Sequence, residues 1–426
     1  MFGAPPTEDP MLYSLHGLQR SLLAPFAAVA ERTAELLTDR SMWPLPVLRA
    51  NLALFHRLAR PYERTPFGIS EVTAHGHTVT VTEETLVTRP FCRLVRFARH
   101  ATEPTAVAAL ARDPRMLVCA PLSGHHPTLL RDTIATLLVD HDVYLTDWTD
   151  AREVPVAAGP FHLDDYVAYI QEFIRHLGAT ELNVLAVCQP TVPVLAAISL
   201  LAARGEATPR TLTLMGGPVD ARVNPTAVNT FANEKPYTWF ERNMIHRVPG
   251  NHPGAGRAVY PGFIQLTAFV MMNPTRHLDA YRNYWLDQVK GGDAVTEGGR
   301  VHERFYNEYN AVLDMDAAYY LDTVRTVFQE FSLARGTWDV GGERVRPDTI
   351  TTTALYTIEG ALDDISGLGQ TSAAHALCAG VPDARKRHLI AADCGHYGLF
   401  SGHRWRETIY PTIRDFVRTH AAEVGA

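Results

Sequence analysis

The apolar positions of the chain fall into two rhythms. From Met11 to Leu37, Leu12, Leu15, Leu18, Leu22 and Phe26 recur at three- and four-residue spacings, which predicts an amphipathic helix. Its apolar face must be covered, in the first place by the protein's own body and in the second by an apolar surface. Thr78 to Leu86 alternates like a strand, and Phe91 to Arg99 follows as another. From residue 116 the pattern becomes strand, loop, helix in repetition. Met116–Ala120 reads as a strand, Pro121-Leu122-Ser123-Gly124-His125-His126 as a loop, and the stretch through Leu138 as a helix. Asp142–Asp147, Leu182–Val187 and Thr211–Met215 read as further strands, with helices at Leu163–Leu177 and Val192–Ala203. Such alternation predicts a parallel sheet.

After Gly216-Gly217-Pro218 the rhythm stops, and residues 225–345 are rich in aromatic side chains and mainly helical in pattern, Arg304–Phe331 most clearly. The alternation resumes with a strand at Thr352–Ile358, a helix around Thr371–Cys378, a strand at His388–Ala392 and a last helix at Trp405–Thr419. The expected organisation is an N-terminal helical extension (1–75), an α/β core in two pieces (76–224 and 346–426) and an inserted helical cap (225–345). No internal repeat or low-complexity segment interrupts it.

Composition narrows the possibilities. A chain of 426 residues with 46% hydrophobic and 20% charged residues has the means to bury a large core, and disorder is not expected. A net charge of −7 offers no broad basic surface for phosphates and argues against nucleic acid as a partner. Glu8 and Asp9 precede the first apolar stretch, so no secretory leader pattern is seen and retention in the cell is expected. Cys92, Cys119, Cys188, Cys378 and Cys394 are odd in number and scattered, as reduced thiols are, and suggest neither a disulfide framework nor a zinc site. The most apolar stretch, Val184–Ala203, is interrupted by Gln189 and two prolines. It fits a buried strand turning into a helix better than a membrane span.

That turn carries the candidate chemistry. In α/β-hydrolases the nucleophile stands on a sharp strand-to-helix turn, and the acid and the histidine follow it along the chain. Cys188 occupies such a turn, at the N-terminus of the next helix, where the helix dipole favours a thiolate. The glycines usual two residues to either side are replaced by Ala186 and Pro190; a small Ala still permits close packing, and Pro suits a first helical turn. Gln189 keeps the backbone N–H that an oxyanion hole requires. Asp363, three residues after Gly360, is the expected acid, with Asp364 as its competitor. His396, in Cys394-Gly395-His396-Tyr397-Gly398, is the expected base, because His388 and His403 are worse placed. The loop after the first core strand should supply the second oxyanion donor, Leu122 first and Ser123 next, and His125 and His126 are expected to line the pocket. No Gly-x-Ser-x-Gly occurs, which leaves cysteine as the nucleophile. The alternative for Cys188 taken alone is a buried structural thiol, and for either aspartate a solvated turn.

The run Val187-Cys188-Gln189-Pro190-Thr191-Val192-Pro193, together with the loop Pro121–His126 and the stretch Glu359–Gly369, resembles the intracellular polyhydroxyalkanoate depolymerases. Gly216-Gly217-Pro218, Tyr260-Pro261-Gly262-Phe263, Asn307-Glu308-Tyr309-Asn310 and His396-Tyr397-Gly398 look like further blocks of that family. The resemblance implies an α/β-hydrolase fold and cleavage of amorphous poly(3-hydroxybutyrate) through Cys188, Asp363 and His396, with Gln189 and Leu122 holding the oxyanion. It further implies a thioester acyl-enzyme, 3-hydroxybutyrate or its oligomers as product, no metal or organic cofactor, and a cytoplasmic location at storage granules, with a homo-oligomer open. Two other readings stand beside it: a polyester synthase-like acyltransferase, against which Ala186 and Pro190 count, and a granule scaffold without turnover.

Overall fold

The computed structural model describes residues 10–37, 44–290 and 297–422; Glu8 and Asp9 lie outside them. Its first strands are β1 (Glu71–Ala74), β2 (His77–Thr88) and β3 (Cys92–His100), then β4 (Arg115–Cys119), β5 (Asp142–Trp148), β6 (Leu182–Val187) and β7 (Thr211–Met215). The chain then leaves this sheet. It forms three short strands paired with one another, β8 (His246–Arg247), β9 (Ala258–Tyr260) and β10 (Met315–Asp316), and a two-residue-a-side hairpin, β11 (Asp339–Val340) and β12 (Glu343–Arg344). It returns as β13 (Ala354–Gly360) and β14 (Lys386–Ala391).

The main sheet has nine strands in the order β1-β2-β3-β5-β4-β6-β7-β13-β14. β1, β2 and β3 pair antiparallel and β3 lies antiparallel to β5, whereas every pairing from β5 through β14 is parallel. Every residue of β6, β7 and β13 is buried, as expected of parallel strands covered on both faces, while β2 alternates like a strand with one wet face. The helix Leu163–Leu177 buries Tyr166, Val167, Ile170, Phe173 and Ile174 and turns Glu172 and Arg175 outward. The helix Thr191–Ala203 is buried from Thr191 through Leu201, because it lies in the interior against the sheet. The apolar run from Val184 is therefore strand, turn and core helix, and no helix among the described residues is long and apolar enough to cross a membrane.

Three expectations change. Arg304–Phe331 is not one helix: a helix Glu297–Tyr309 ends, β10 intervenes, and a second helix starts at Ala317 and runs to Thr323, with a π-helical turn after it. Buried carboxylates cause the break. Asp316 caps the second helix by accepting the Ala318 N–H (3.0 Å) and pairs with Arg257 (2.6 Å), while Asp314 accepts the Gly262 N–H (2.9 Å). Second, the N-terminal extension holds a further helix at Leu45–Ala59 and ends in the strand β1, and a helix at Pro104–Leu110 appears where no element was named. Third, the N-terminal helix, Pro10–Leu36, turns the opposite face to the protein. Ala27, Ala30 and Ala34 are buried, and Tyr13 is pinned by donating its hydroxyl to Asp314 (2.5 Å). Leu15, Leu18, Leu22 and Phe26 are 51%, 55%, 61% and 66% exposed. Small residues let the helix approach closely, and the large ones are left facing water.

Candidate active site

All five core loops that bear on the chemistry leave the same edge of the sheet, after β4, β6, β7, β13 and β14. The turn after β6 is the tightest. Cys188 has φ +70°, a left-handed conformation costly for any residue with a Cβ, and is held there because its N–H donates to the Met215 carbonyl at 2.7 Å. Its own carbonyl accepts the Thr191 N–H (3.1 Å) and hydroxyl (2.9 Å), which starts the following helix. Ala186 is fully buried in β6 between Cys119 of β4 and Leu214 of β7. The glycine usual here is thus replaced by the next smallest residue.

Crowding explains the Gly216-Gly217 pair after β7. A Cβ on Gly217 would stand 1.9 Å from the Thr191 hydroxyl and 2.3 Å from the Cys188 carbonyl. Gly216, at φ +54°, would place one 2.7 Å from Leu399 and 3.3 Å from the Asp363 carboxylate. These two glycines therefore let the β7 loop press simultaneously on the Cys188 turn and on the acid.

Asp363 follows β13 and His396 follows β14. One carboxylate oxygen of Asp363 accepts the Ile365 and Ser366 N–H groups, each at 2.9 Å, and the other meets His396 Nδ1 at 2.8 Å. Both side chains are almost wholly buried, and the imidazole borders the same cavity as Cys188. Burial alone would drive the imidazole toward its neutral form, but the charges of Asp363 and Cys188 outweigh it and hold the pKa well above the ordinary histidine value. Asp364, next along the chain, is exposed and among the described residues accepts only a long contact from Asn273 (3.4 Å). His388 bonds Thr357 inside the sheet, and His403 pairs with Glu407 on the surface.

The two expected oxyanion donors also converge. Among the described residues nothing accepts the Gln189 backbone N–H, while the Leu122 N–H reaches the Gln189 side-chain oxygen at 3.4 Å. The Gln189 side chain thus covers the Leu122 donor, a contact that spacing along the chain could not foretell. Ser123 lines the same space, and Gly124, at φ +95°, makes the turn. The histidines of this loop part company. His125 borders the cavity against Phe269 and Tyr309, with burial pushing its pKa down to about 4. His126 does not reach the cavity, contrary to expectation; it packs behind the loop, where burial and the charges of Arg64 and Arg152 take its pKa down to about 3.

The cavity in front of Cys188 measures about 210 Å³. Its far wall comes from residues between β7 and β13, chiefly Phe231, Phe240, Phe269, Tyr319, Tyr320 and Phe328. Glu359, at the end of β13, is a positioning group that motif reasoning passed over. Its buried carboxylate accepts the N–H groups of Gly369 (3.0 Å), Thr371 (2.7 Å) and Ser372 (3.0 Å), tying down the loop that starts with Asp363.

A mostly parallel sheet, a nucleophile-type turn after β6, and an acid and an imidazole on later loops of the same edge define an α/β-hydrolase. Residues 216–421, which include Asp363 and His396, match the family model described as PHB de-polymerase C-terminus. Over that segment the chain is similar to the poly(3-hydroxybutyrate) depolymerases, and it is an ester hydrolase. Cys188 lies outside the matched segment. Similar solved structures include a hydrolase from Pseudomonas aeruginosa, 13% identical, covering 79% of this chain and 98% of that one with a TM-score of 0.42. A carboxylesterase from the thaumarchaeon Nitrososphaera gargenis is 9% identical, covering 83% and 99% with a TM-score of 0.41. A monoacylglycerol lipase from Paleococcus ferrophilus is 11% identical, covering 72% and 96% with a TM-score of 0.39. Comparison with curated proteins gives no match.

Proposed function

We propose that the chain is an intracellular depolymerase that hydrolyses amorphous poly(3-hydroxybutyrate) through Cys188, His396 and Asp363. The observation that carries this reading is the hydrogen-bonded pair Asp363–His396 meeting Cys188 at one cavity walled by aromatic and aliphatic side chains. The Cys188 thiolate attacks an ester carbonyl, and the backbone N–H groups of Gln189 and Leu122 receive the developing oxyanion, the Gln189 side chain giving way. The imidazolium of His396 protonates the leaving hydroxyl as the C–O bond breaks, leaving an acyl-thioester. Water, deprotonated by His396, then cleaves the thioester and releases 3-hydroxybutyrate or a short oligomer, and the proton returns the pair to its starting state. Asp363 fixes the imidazole tautomer throughout. In this scheme residues 225–345 act as a cap that supplies the wall of the polymer site. The core is 76–224 with 346–426, and 1–75 is an extension.

The expected result on amorphous poly(3-hydroxybutyrate) is steady release of 3-hydroxybutyrate and its oligomers, read by chromatography. Release of coenzyme A with polymer growth from 3-hydroxybutyryl-CoA would replace this reading by the synthase one.

The exposed row Leu15, Leu18, Leu22 and Phe26 supports a second element of the proposal, that the N-terminal helix lays its large apolar side chains on the polymer surface at the granule. Changing Leu18 and Leu22 together to serine should cut co-sedimentation with amorphous polymer several-fold, while hydrolysis of a soluble short-chain ester stays within about twofold of the parent. Unchanged co-sedimentation would remove the helix from the surface contact.

A further inference from the structure

A second, larger cavity of about 660 Å³ holds none of the residues just described. It lies on the other side of the helix Gly262–Met272. Ala268, Phe269 and Met272 of that helix face the Cys188 cavity, whereas Leu266 and Val270 face this one. The opposite wall is built by the N-terminal helix and the helix Leu45–Ala59, through Arg20, Leu54, Arg57 and Leu58. Tyr62, Tyr281, Trp285 and Tyr306 give it aromatic sides.

Its charge is out of balance. Arg57 is 4% exposed, yet its guanidinium donates only to neutral oxygens, Asn307 Oδ1 (2.9 Å) and the Glu303 carbonyl (3.3 Å), and its Nε has no partner. The Glu303 carboxylate is turned to the Tyr284 hydroxyl (3.0 Å) instead. Arg60 shares the same Asn307 oxygen, so two guanidinium groups converge on one uncharged acceptor. Arg20 and Arg282, at the cavity wall, make no hydrogen bond or ion pair among the described residues. A buried cation is ordinarily paired, because desolvation penalises it strongly otherwise. Three cationic side chains around an apolar, aromatic-sided space, with no carboxylate among the described residues paired to any of them, make a receptor for an anion with an apolar body.

We propose that this cavity binds the carboxylate-bearing end of a short 3-hydroxyacyl oligoester, with the carboxylate at Arg20 and Arg57 and the ester chain along Tyr62, Tyr281 and Trp285. The oligoester part of this assignment rests on the depolymerase reading above. Each hydrolytic event on the polymer creates a free carboxylate end, so this is the one charged group that the substrate and its products carry. The site distinguishes a cut chain end from an uncut polymer segment.

The test uses the full-length Cys188→Ala protein, which cannot consume the ligand, titrated with the linear trimer of 3-hydroxybutyrate as free acid, with the methyl ester of that trimer and with hexanoate. Trp285 reports occupancy by its fluorescence, and Trp285→Phe identifies its share of the signal. The expected result is a saturable Trp285 response to the trimer acid, about tenfold weaker for the methyl ester, and weakened about tenfold for the acid by Arg20→Gln. Circular dichroism should show the Arg20→Gln fold intact, since Arg20 is bonded to nothing that it would release. Equal affinity for acid and ester, indifference to Arg20→Gln, or a response that persists in Trp285→Phe would each overturn the site. Binding of hexanoate without the trimer acid would overturn the oligoester assignment. Acid release from polymer by the parent protein is measured separately, so failure of the depolymerase reading and failure of this site give different results.

Discussion

Cys188→Ala should lower turnover of amorphous poly(3-hydroxybutyrate) by about 10⁴-fold or more, as loss of a nucleophile does in comparable triads. Folding should not suffer. The turn is held by contacts of the Cys188 backbone that alanine keeps, from the Cys188 N–H to Met215 and from Thr191 to the Cys188 carbonyl. Thermal melting within a few degrees of the parent, together with the lost activity, would separate chemistry from stability. Cys188→Ser should recover only a small part of the rate, because a hydroxyl is far less readily ionised than a thiol beside the same imidazole. Alkylation of the parent with iodoacetamide should reproduce the loss, and the other thiols should not confuse the result. Cys92 and Cys119 are fully buried, with burial raising their pKa, and the buried Cys378 is pushed up to about 12. Polymer turnover by Cys188→Ala at the parent rate would remove Cys188 as nucleophile.

What could be read from the chain follows from which forces are local. The strands β6 and β7 and the helix Leu163–Leu177 fall where continuous apolar runs and a 3.6-residue period place them, because burial on both faces or on one stripe is written into those windows. The positions of Cys188, Asp363 and His396 followed from their order along the chain after those strands, and the structure brings the three side chains together. Non-local partners hid the rest. Nothing near Asp314 and Asp316 announces that Gly262 and Arg257 will claim their carboxylates and break a helical pattern. Gly216-Gly217 reads as a turn, but the need for two missing Cβ atoms comes from Thr191, Leu399 and Asp363, distant in sequence. Periodicity identified the N-terminal helix without showing which face is covered, since alanines at close approach proved a better docking surface than leucines. The role of Glu359 was invisible for the same reason. Its acceptors' partners are backbone N–H groups, which every residue has.

Asp363→Asn is the sharper test of the acid, because it alters charge with almost no change of shape. The Ile365 and Ser366 N–H groups both donate to Oδ1, so the amide oxygen should stay with them and the amide nitrogen should face His396 Nδ1. An N–H donor there demands a lone pair on Nδ1. The imidazole proton is then fixed on the nitrogen facing Cys188, where the base must accept a proton, and kcat should fall about 10⁴-fold. The same substitution removes the larger of the two charges that hold the His396 pKa up against burial. In the parent, the imidazolium should persist well above the ordinary histidine range; in Asp363→Asn burial gains the upper hand, and the ring should become neutral at lower pH. A ¹⁵N NMR titration of the His396 ring reads this directly. Asp364→Asn is the control, since that carboxylate is exposed and its one side-chain hydrogen bond among the described residues is the long one from Asn273; its kcat should stay within about twofold of the parent. A parent-like His396 titration in Asp363→Asn, or a large loss of rate in Asp364→Asn, would transfer the acid's role to the neighbouring residue.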